Sequence, residues 1–267
     1  VCSSDLQKWL LAPLALLPIL LLPEVHAQTP QAKGLALAEQ MDQRYAGWVD
    51  QQARMKMVLK NKQGQTTSRE IRSRSLEVDG DGDKSLTIFD TPRDVKGTAF
   101  LSHTHAVKPD DQWLFLPALK RVKRISSANK SGPFVGSEFA YEDLTSQEVE
   151  KYTYKWLRDA TLDGKKVSVM ERYPAYKHSG YTRQIVWVDL TIYQSVKVEY
   201  FDRKNALLKT LTTADFRELD GKHWRAHTMN MVNHQTGKST SLTWSGFKFA
   251  NGYGNANFSK NSLKRAR

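Results

Sequence analysis

Arg54-Met55-Lys56-Met57-Val58-Leu59-Lys60 places Met55, Met57 and Leu59 at alternate positions, with Arg54, Lys56 and Lys60 mostly between them. Successive side chains of a β-strand point to opposite faces, so this stretch has one oily face and one cationic face. The turn Asn61-Lys62-Gln63-Gly64 follows and leads into a second alternating run, Thr66–Val78. Asp79-Gly80-Asp81-Gly82-Asp83 is dense in turn formers and precedes Ser85–Phe89. The pattern continues at 97–106, 112–125, 149–159, 165–173, 181–189, 194–202, 206–219, 223–234 and 239–249, punctuated by Asp163-Gly164, Asp220-Gly221 and Gln235-Thr236-Gly237. About a dozen strands joined mostly by short loops predict an antiparallel meander. Long half-apolar strands twist, so such a meander curls into a barrel or half-barrel.

Two segments depart from the period of two. Leu35 to Tyr45 (LALAEQMDQRY) sets its apolar residues at helical spacing, predicting one amphipathic helix over 33–46. Residues 126–148 contain Gly132-Pro133 and Gly136, which preclude a long strand. That segment reads as a loop with a short helical turn near Tyr141–Leu144, packed over an end or the open face of the sheet.

The N-terminal residues read as an export leader. Lys8 precedes an apolar run, Trp9 to Leu22, broken by Pro13 and Pro18 and ending near the small residue Ala27. Those are the parts of a secretory signal peptide cleaved after Ala27, with 28–267 as a single domain. Val1-Cys2-Ser3-Ser4-Asp5-Leu6 also matches what a sequencing adapter would translate to, and Cys2 is the only cysteine. The exported region is therefore expected to fold by core burial without disulfides. Removing one base and two acids with the leader raises the net charge from +12 to +13. Such a surplus suits polyanions. Export argues against nucleic acid and leaves an anionic membrane surface or an acidic protein.

Catalytic and metal-binding patterns are weak. Asp79, Asp81 and Asp83 imitate the start of a calcium loop, but Lys84 stands where that loop needs Gly and Asp90 where it needs a bidentate Glu. His103 and His105 alternate on one expected strand without a third ligand, and His223 and His227 are about 13 Å apart if extended. Gly-x-Ser-x-Gly and both phosphate-cradling glycine motifs are absent, and Ser127-Ala128-Asn129-Lys130 lacks the partners that would make it a nucleophile. Asp110-Asp111 and Glu142-Asp143 fall in turn-like segments and are expected to be solvated. No enzyme, metal or cofactor is predicted. Bulky apolar residues, by contrast, come from many strands: Trp113, Phe115, Trp156, Trp187, Tyr200, Trp224, Trp244, Phe247 and Phe249. A curled sheet with one apolar face makes a cavity that side chains alone need not fill.

Trp113-Leu114-Phe115-Leu116-Pro117-Ala118-Leu119-Lys120-Arg121-Val122-Lys123-Arg124-Ile125, followed by Gly136-Ser137-Glu138-Phe139-Ala140-Tyr141-Glu142-Asp143-Leu144, resembles the signature of the outer-membrane lipoprotein-sorting proteins, similar to the LolA/LolB periplasmic carriers. The resemblance implies a mainly β chain with a few helices (α+β): a strongly curved, incomplete antiparallel β-barrel of about eleven strands, with helices covering the concave face. It further implies a periplasmic, non-enzymatic carrier of lipid or lipoprotein acyl chains, monomeric, and accessory to a resistance-nodulation-division type inner-membrane transporter. A regulatory module that binds an inner-membrane transporter or anti-sigma factor without carrying lipid is the alternative. Met55, Met57, Leu59, Phe115, Trp187 and Trp244 are the expected cavity wall; Lys120, Arg121, Lys123 and Arg124 are expected to meet a headgroup or partner. A shift of strand phase by one residue would exchange the faces.

Overall fold

The structure, a computed structural model, describes residues 28–265, so the expected leader lies outside the described residues. Helix α1 (Pro30–Tyr45) is followed by strands β1 (Asp50–Lys60), β2 (Thr66–Leu76), β3 (Lys84–Thr91), β4 (Ala99–His103), β5 (Asp111–Leu116) and β6 (Arg121–Ile125). After residues 126–151 come β7 (Tyr152–Leu162), β8 (Lys165–Pro174), β9 (Arg183–Asp189), β10 (Gln194–Phe201), β11 (Leu207–Leu219), β12 (His223–Asn233) and β13 (Ser239–Phe249), then a short helix α2 (Lys260–Arg265). All 13 strands form one antiparallel sheet in the order β6-β5-β4-β3-β2-β1-β13-β12-β11-β10-β9-β8-β7. Two meanders are thus joined where β1 pairs with β13, and the sheet stays open, with β6 and β7 as its edges. Those edges are consecutive in the chain, so residues 126–151 must cross from one to the other over a face of the sheet.

That crossing segment shows how strongly the sheet curves. The Tyr141 carbonyl accepts from Gln112 on β5, while Asp143, two residues later, accepts from Tyr181 beside β9 and Lys209 on β11. In a flat sheet β5 and β9 would lie roughly 40 Å apart at about 4.8 Å per strand. Strands so distant reach neighbouring residues only if the sheet wraps around the segment. The result is an incomplete barrel, curved and not closed.

The 126–151 segment therefore acts as a plug on the inner face. Phe134 is buried against Phe89, Phe100 and Tyr141, with ring centroids 5.8, 5.3 and 5.5 Å away. With Phe139 it joins Met55, Met57, Ile71, Leu114, Met170, Val186, Tyr200, Met231 and Leu242 in the main core. Backbone groups are pinned as well: Arg69 donates to the Val135 carbonyl at 2.6 Å, Lys209 to that of Glu138 at 2.9 Å, and the Glu138 amide to Thr240 at 3.0 Å. The predicted helical turn is present at Tyr141–Leu144 as a 3-10 turn.

Helix α1 is the second cover. Its sixteen residues span about 24 Å, the width of the five strand spacings from β7 to β12. Gly34 lies against the β7 backbone, where a Cβ would stand 2.8 Å from the Trp156 nitrogen. At the other end Arg225 of β12 stacks 4.4 Å from the ring of Tyr45. The outer face carries two smaller clusters. Leu86, Ile88, Ala99, Leu101 and Trp113 are capped by Phe258 and Leu263 of the C-terminal segment, and Val167, Val169 and Trp187 pack with Leu157, Ile185 and Val196.

Three sequence expectations change. The strand read over 112–125 breaks at Pro117–Leu119, and Lys120 turns with a left-handed backbone (φ 48°), making the β5–β6 hairpin. Proline at a strand centre removes a ladder donor, which favours the break. The incomplete curved barrel has 13 strands where the resemblance implies about eleven, and a C-terminal helix adds to the expected elements. Replacing Phe134 by Ala should cost about 3–5 kcal/mol of unfolding free energy, because the cavity would open in the centre of the plug. Urea denaturation monitored by tryptophan fluorescence measures it, and a loss below about 1 kcal/mol would contradict the plug's place in the core.

Candidate functional site

The inner face is filled in part and half-covered in part. Met57, Leu242, Met231 and Tyr200 are buried in the core that the plug completes. Leu211, opposite Met231, and Met229, opposite Leu242, are only partly buried, as is Trp244, two residues beyond Leu242 on β13 and opposite Met55. Here Trp244 stacks on Phe247 at 6.2 Å, His227 meets Phe247 at 5.2 Å, and His223 lies 5.0 Å from Phe249. Tyr45 and Trp48, at and just after the end of α1, border the same region, with Arg225 between Tyr45 and Phe249.

Two polar atoms in this region are out of place. Trp244 Nε1 and Arg225 Nη2 are buried and have no hydrogen-bond partner in the structure. Arg225 spends its other donors on Gln51 Oε1 (3.0 Å) and the Trp224 carbonyl (3.1 Å). Buried donors are almost always paired, so two unpaired ones among aromatic rings mark a place suited to an acceptor. The site offers rings and thioethers to an apolar body and two buried donors to polar atoms. It has no nucleophile–base arrangement, and among the described residues no group of His, Cys, Asp and Glu is placed to hold a metal ion.

The expected wall residues separate between the faces. Met55, Met57, Leu59 and Trp244 share the inner face, Met57 fully buried beneath the plug. Phe115 and Trp187 point outward, into the cluster under the C-terminal segment and the cluster around Val167. Their strands carry the opposite phase: Leu114 of β5, and Val186 and Val188 of β9, face inward instead. Lys120, Arg121, Lys123 and Arg124 are exposed at the β6 edge, with Arg124 paired to Asp111. Lys130, further along the chain, is buried, 2.9 Å from Asp110, which also binds Lys151 at 2.6 Å.

The acids expected in solvent are anchors. Glu142 is buried and accepts from Gly180 N, Ser179 and Tyr176 at 2.8, 2.9 and 3.0 Å. Burial raises its pKa, and the neighbouring Asp143 adds to the rise. Asp143 pairs with buried Lys209 at 2.6 Å. The Asp79–Asp83 run is a structural turn in which Asp81 caps His105 Nδ1 at 2.7 Å and Ala106 N at 2.9 Å. His103 parts from His105 and meets the Phe258 carbonyl. Sequence reasoning missed Arg225 and His227 as inward-facing residues of this part of β12. The alternation His223-x-Arg225-x-His227-x-Met229-x-Met231 along β12 was the available signal.

Residues 81–265 match a family model described only as an uncharacterized protein. Among crystal structures, an outer membrane lipoprotein-sorting protein domain from Vibrio parahaemolyticus is 58% identical over 87% of this chain and 99% of that one, with a TM-score of 0.86. The chain belongs to the outer-membrane lipoprotein-sorting, LolA-like family. A DUF1329 family protein from Desulfovibrio piger aligns at 29% identity (88% of this chain, 99% of that one, TM-score 0.84). A LolA superfamily protein from Nitrosomonas europaea shares the fold at 20% identity (88% and 100%, TM-score 0.69). No curated protein matches this chain. The fold common to this LolA-like family is what sets the inner face beneath its two covers.

Beside the plug, burial pushes the Asp83 carboxyl up to about 7, aided by the nearby charges of Glu148 and Glu77. Glu148 and Asp42 are raised as well, chiefly by burial. Between about pH 4 and 7 the unfolded chain releases the Asp83 proton and the folded protein keeps it, so stability falls as pH rises through that interval. Asp83→Asn should flatten the slope, gaining about 1 kcal/mol or more at pH 7.5 relative to pH 4.5. Urea midpoints at the two pH values check this, and an unchanged slope would exclude Asp83 as its source.

Proposed function

We propose that this protein is a periplasmic, non-enzymatic binding protein that carries an acyl chain of a lipid or lipoprotein in the half-covered part of its inner face. The observation carrying the reading is the pairing of partly buried Trp244, Met229 and Phe247 with two unpartnered buried donors, Trp244 Nε1 and Arg225 Nη2. Rings and thioethers suit a hydrocarbon chain, and the donors suit the carbonyl of its ester or amide link. Membership of a lipoprotein-sorting family supports the same ligand class and a periplasmic location. Helix α1 is the cover that would lift: it lies over the sheet through few large side chains, Leu37 and Ala38 being its buried apolar residues. Met55, Met57 and Leu59 would form the floor behind the bound chain. Lys120, Arg121, Lys123 and Arg124 would meet an inner-membrane transporter of the resistance-nodulation-division type or another acidic surface.

A filled interior favours a second reading, in which the protein is a regulatory module that docks on an inner-membrane partner without cargo. Phe134, Phe139 and Tyr141 occupy space that a carrier with a wide cavity would leave open. Native mass spectrometry with a synthetic triacylated lipopeptide separates the two. The carrier reading expects a one-to-one complex, and Trp244→Ala should weaken it by about tenfold through lost ring contact. Absence of any complex with lipopeptide or phospholipid, in protein that is folded by circular dichroism, would leave the docking module.

A further inference from the structure

The outer face of β1, β2 and β13 carries a cationic groove unrelated to the inner face. Two adjoining clefts open there, about 380 and 350 Å³ in volume, with Arg72 and Arg74 as their common wall. The first also takes in Leu86, Ile88, Asn257, Ser262 and Arg265; the second is lined by Gln52, Arg54, Ser245, Gly246 and Lys248. The concentration of charge follows from strand phase: Arg54, Arg72 and Arg74 alternate with the inward-facing Ala53, Ile71 and Ser73, and Arg54 sits opposite Arg72 across the β1–β2 ladder. A register shift between Gln52 and Arg54 widens the β1–β13 pairing beside Gly246, whose φ is +61° and which has open space where a Cβ would be.

Like charges directly opposite on a sheet are destabilising, so this cluster needs compensation. Asp90 supplies part of it, holding Arg72 Nε at 2.8 Å. Among the described residues, Arg54, Arg74 and Lys248 have no ion pair; Arg74 only overlies the Tyr253 ring at 5.3 Å. An anion of more than one negative charge would satisfy several of these cations together. Guanidinium forks match a phosphate oxygen pair, and the hydroxyl of Ser245 adds a neutral donor.

We propose that this outer groove binds a phosphate group, presented either free or on a phospholipid headgroup. The proposal is independent of what the inner face holds. Two probes distinguish the sources: inorganic phosphate, followed by calorimetric titration, and vesicles of phosphatidylglycerol and phosphatidylcholine against vesicles of phosphatidylcholine alone, followed by co-sedimentation. Wild-type protein should bind at least one of the anionic probes, and Arg54→Gln/Arg74→Gln/Lys248→Gln should weaken that binding at least tenfold. Lys120→Gln/Arg121→Gln/Lys123→Gln/Arg124→Gln removes more charge from the β6 edge and should leave it within about twofold. As a measurement on the unaltered protein, phosphate or anionic vesicles should protect Arg54 and Arg74 from phenylglyoxal, read by peptide mass spectrometry. Binding of headgroup vesicles without free phosphate assigns the lipid source, and the reverse assigns the free ion. Neither probe binding, or equal loss in both variants in line with total charge, or unprotected arginines, would overturn the proposal.

Discussion

The rest of the structure depends on one constraint: a thirteen-stranded sheet with two open edges has to be held curled. Twist alone bends such a sheet but does not fix how far it closes. Here the connection between the edge strands is itself the fastener. Residues 134–144 bind Arg69 and Gln112 on one wing and Tyr181 and Lys209 on the other, so the wings are tied through a common centre. Much of that tie is polar and buried. The Lys209–Asp143 pair, the Glu142 hydrogen bonds to 176–180 and the Lys130–Asp110–Lys151 bridge fix direction, which apolar contact cannot do.

Fastening the sheet this way has a consequence for function. Each aromatic ring that the plug inserts stabilises the curl and removes volume from the interior. The proposed guest position is the part of the inner face around Trp244, next to the end of α1. There the packing is looser, residues such as Trp244 and Met229 are partly exposed, and donors are left without acceptors.

The meander was legible in the sequence because it rests on local chemistry. Alternation from Met55 to Leu59, and the turn pairs Asp163-Gly164 and Asp220-Gly221, specify strands and hairpins without reference to anything distant. The plug was legible as an interruption, and its helical turn near Tyr141 as well. What could not be read was which neighbour each side chain meets. Bulk alone does not mark Phe115 and Trp187 as inward, because both faces of this sheet bury aromatics, the outer one beneath Phe258 and Leu263. Asp110, Glu142 and Asp143 looked solvated because they stand in turns; their partners lie 20 to 66 residues away and leave no local trace. The strand break at Pro117–Leu119 is legible in the proline itself, which removes a ladder donor.

The proposed guest lies between α1 and β12–β13 while the plug stays in place. Hydrogen–deuterium exchange with and without a triacylated lipopeptide checks this. Slower exchange in β12, in β13 around Trp244 and near the C-terminal end of α1, with 132–144 equally protected in both states, is the expected result. Faster exchange across 132–144 on binding, or protection confined to the outer face, would mean that the plug is the gate or that the inner face takes no guest.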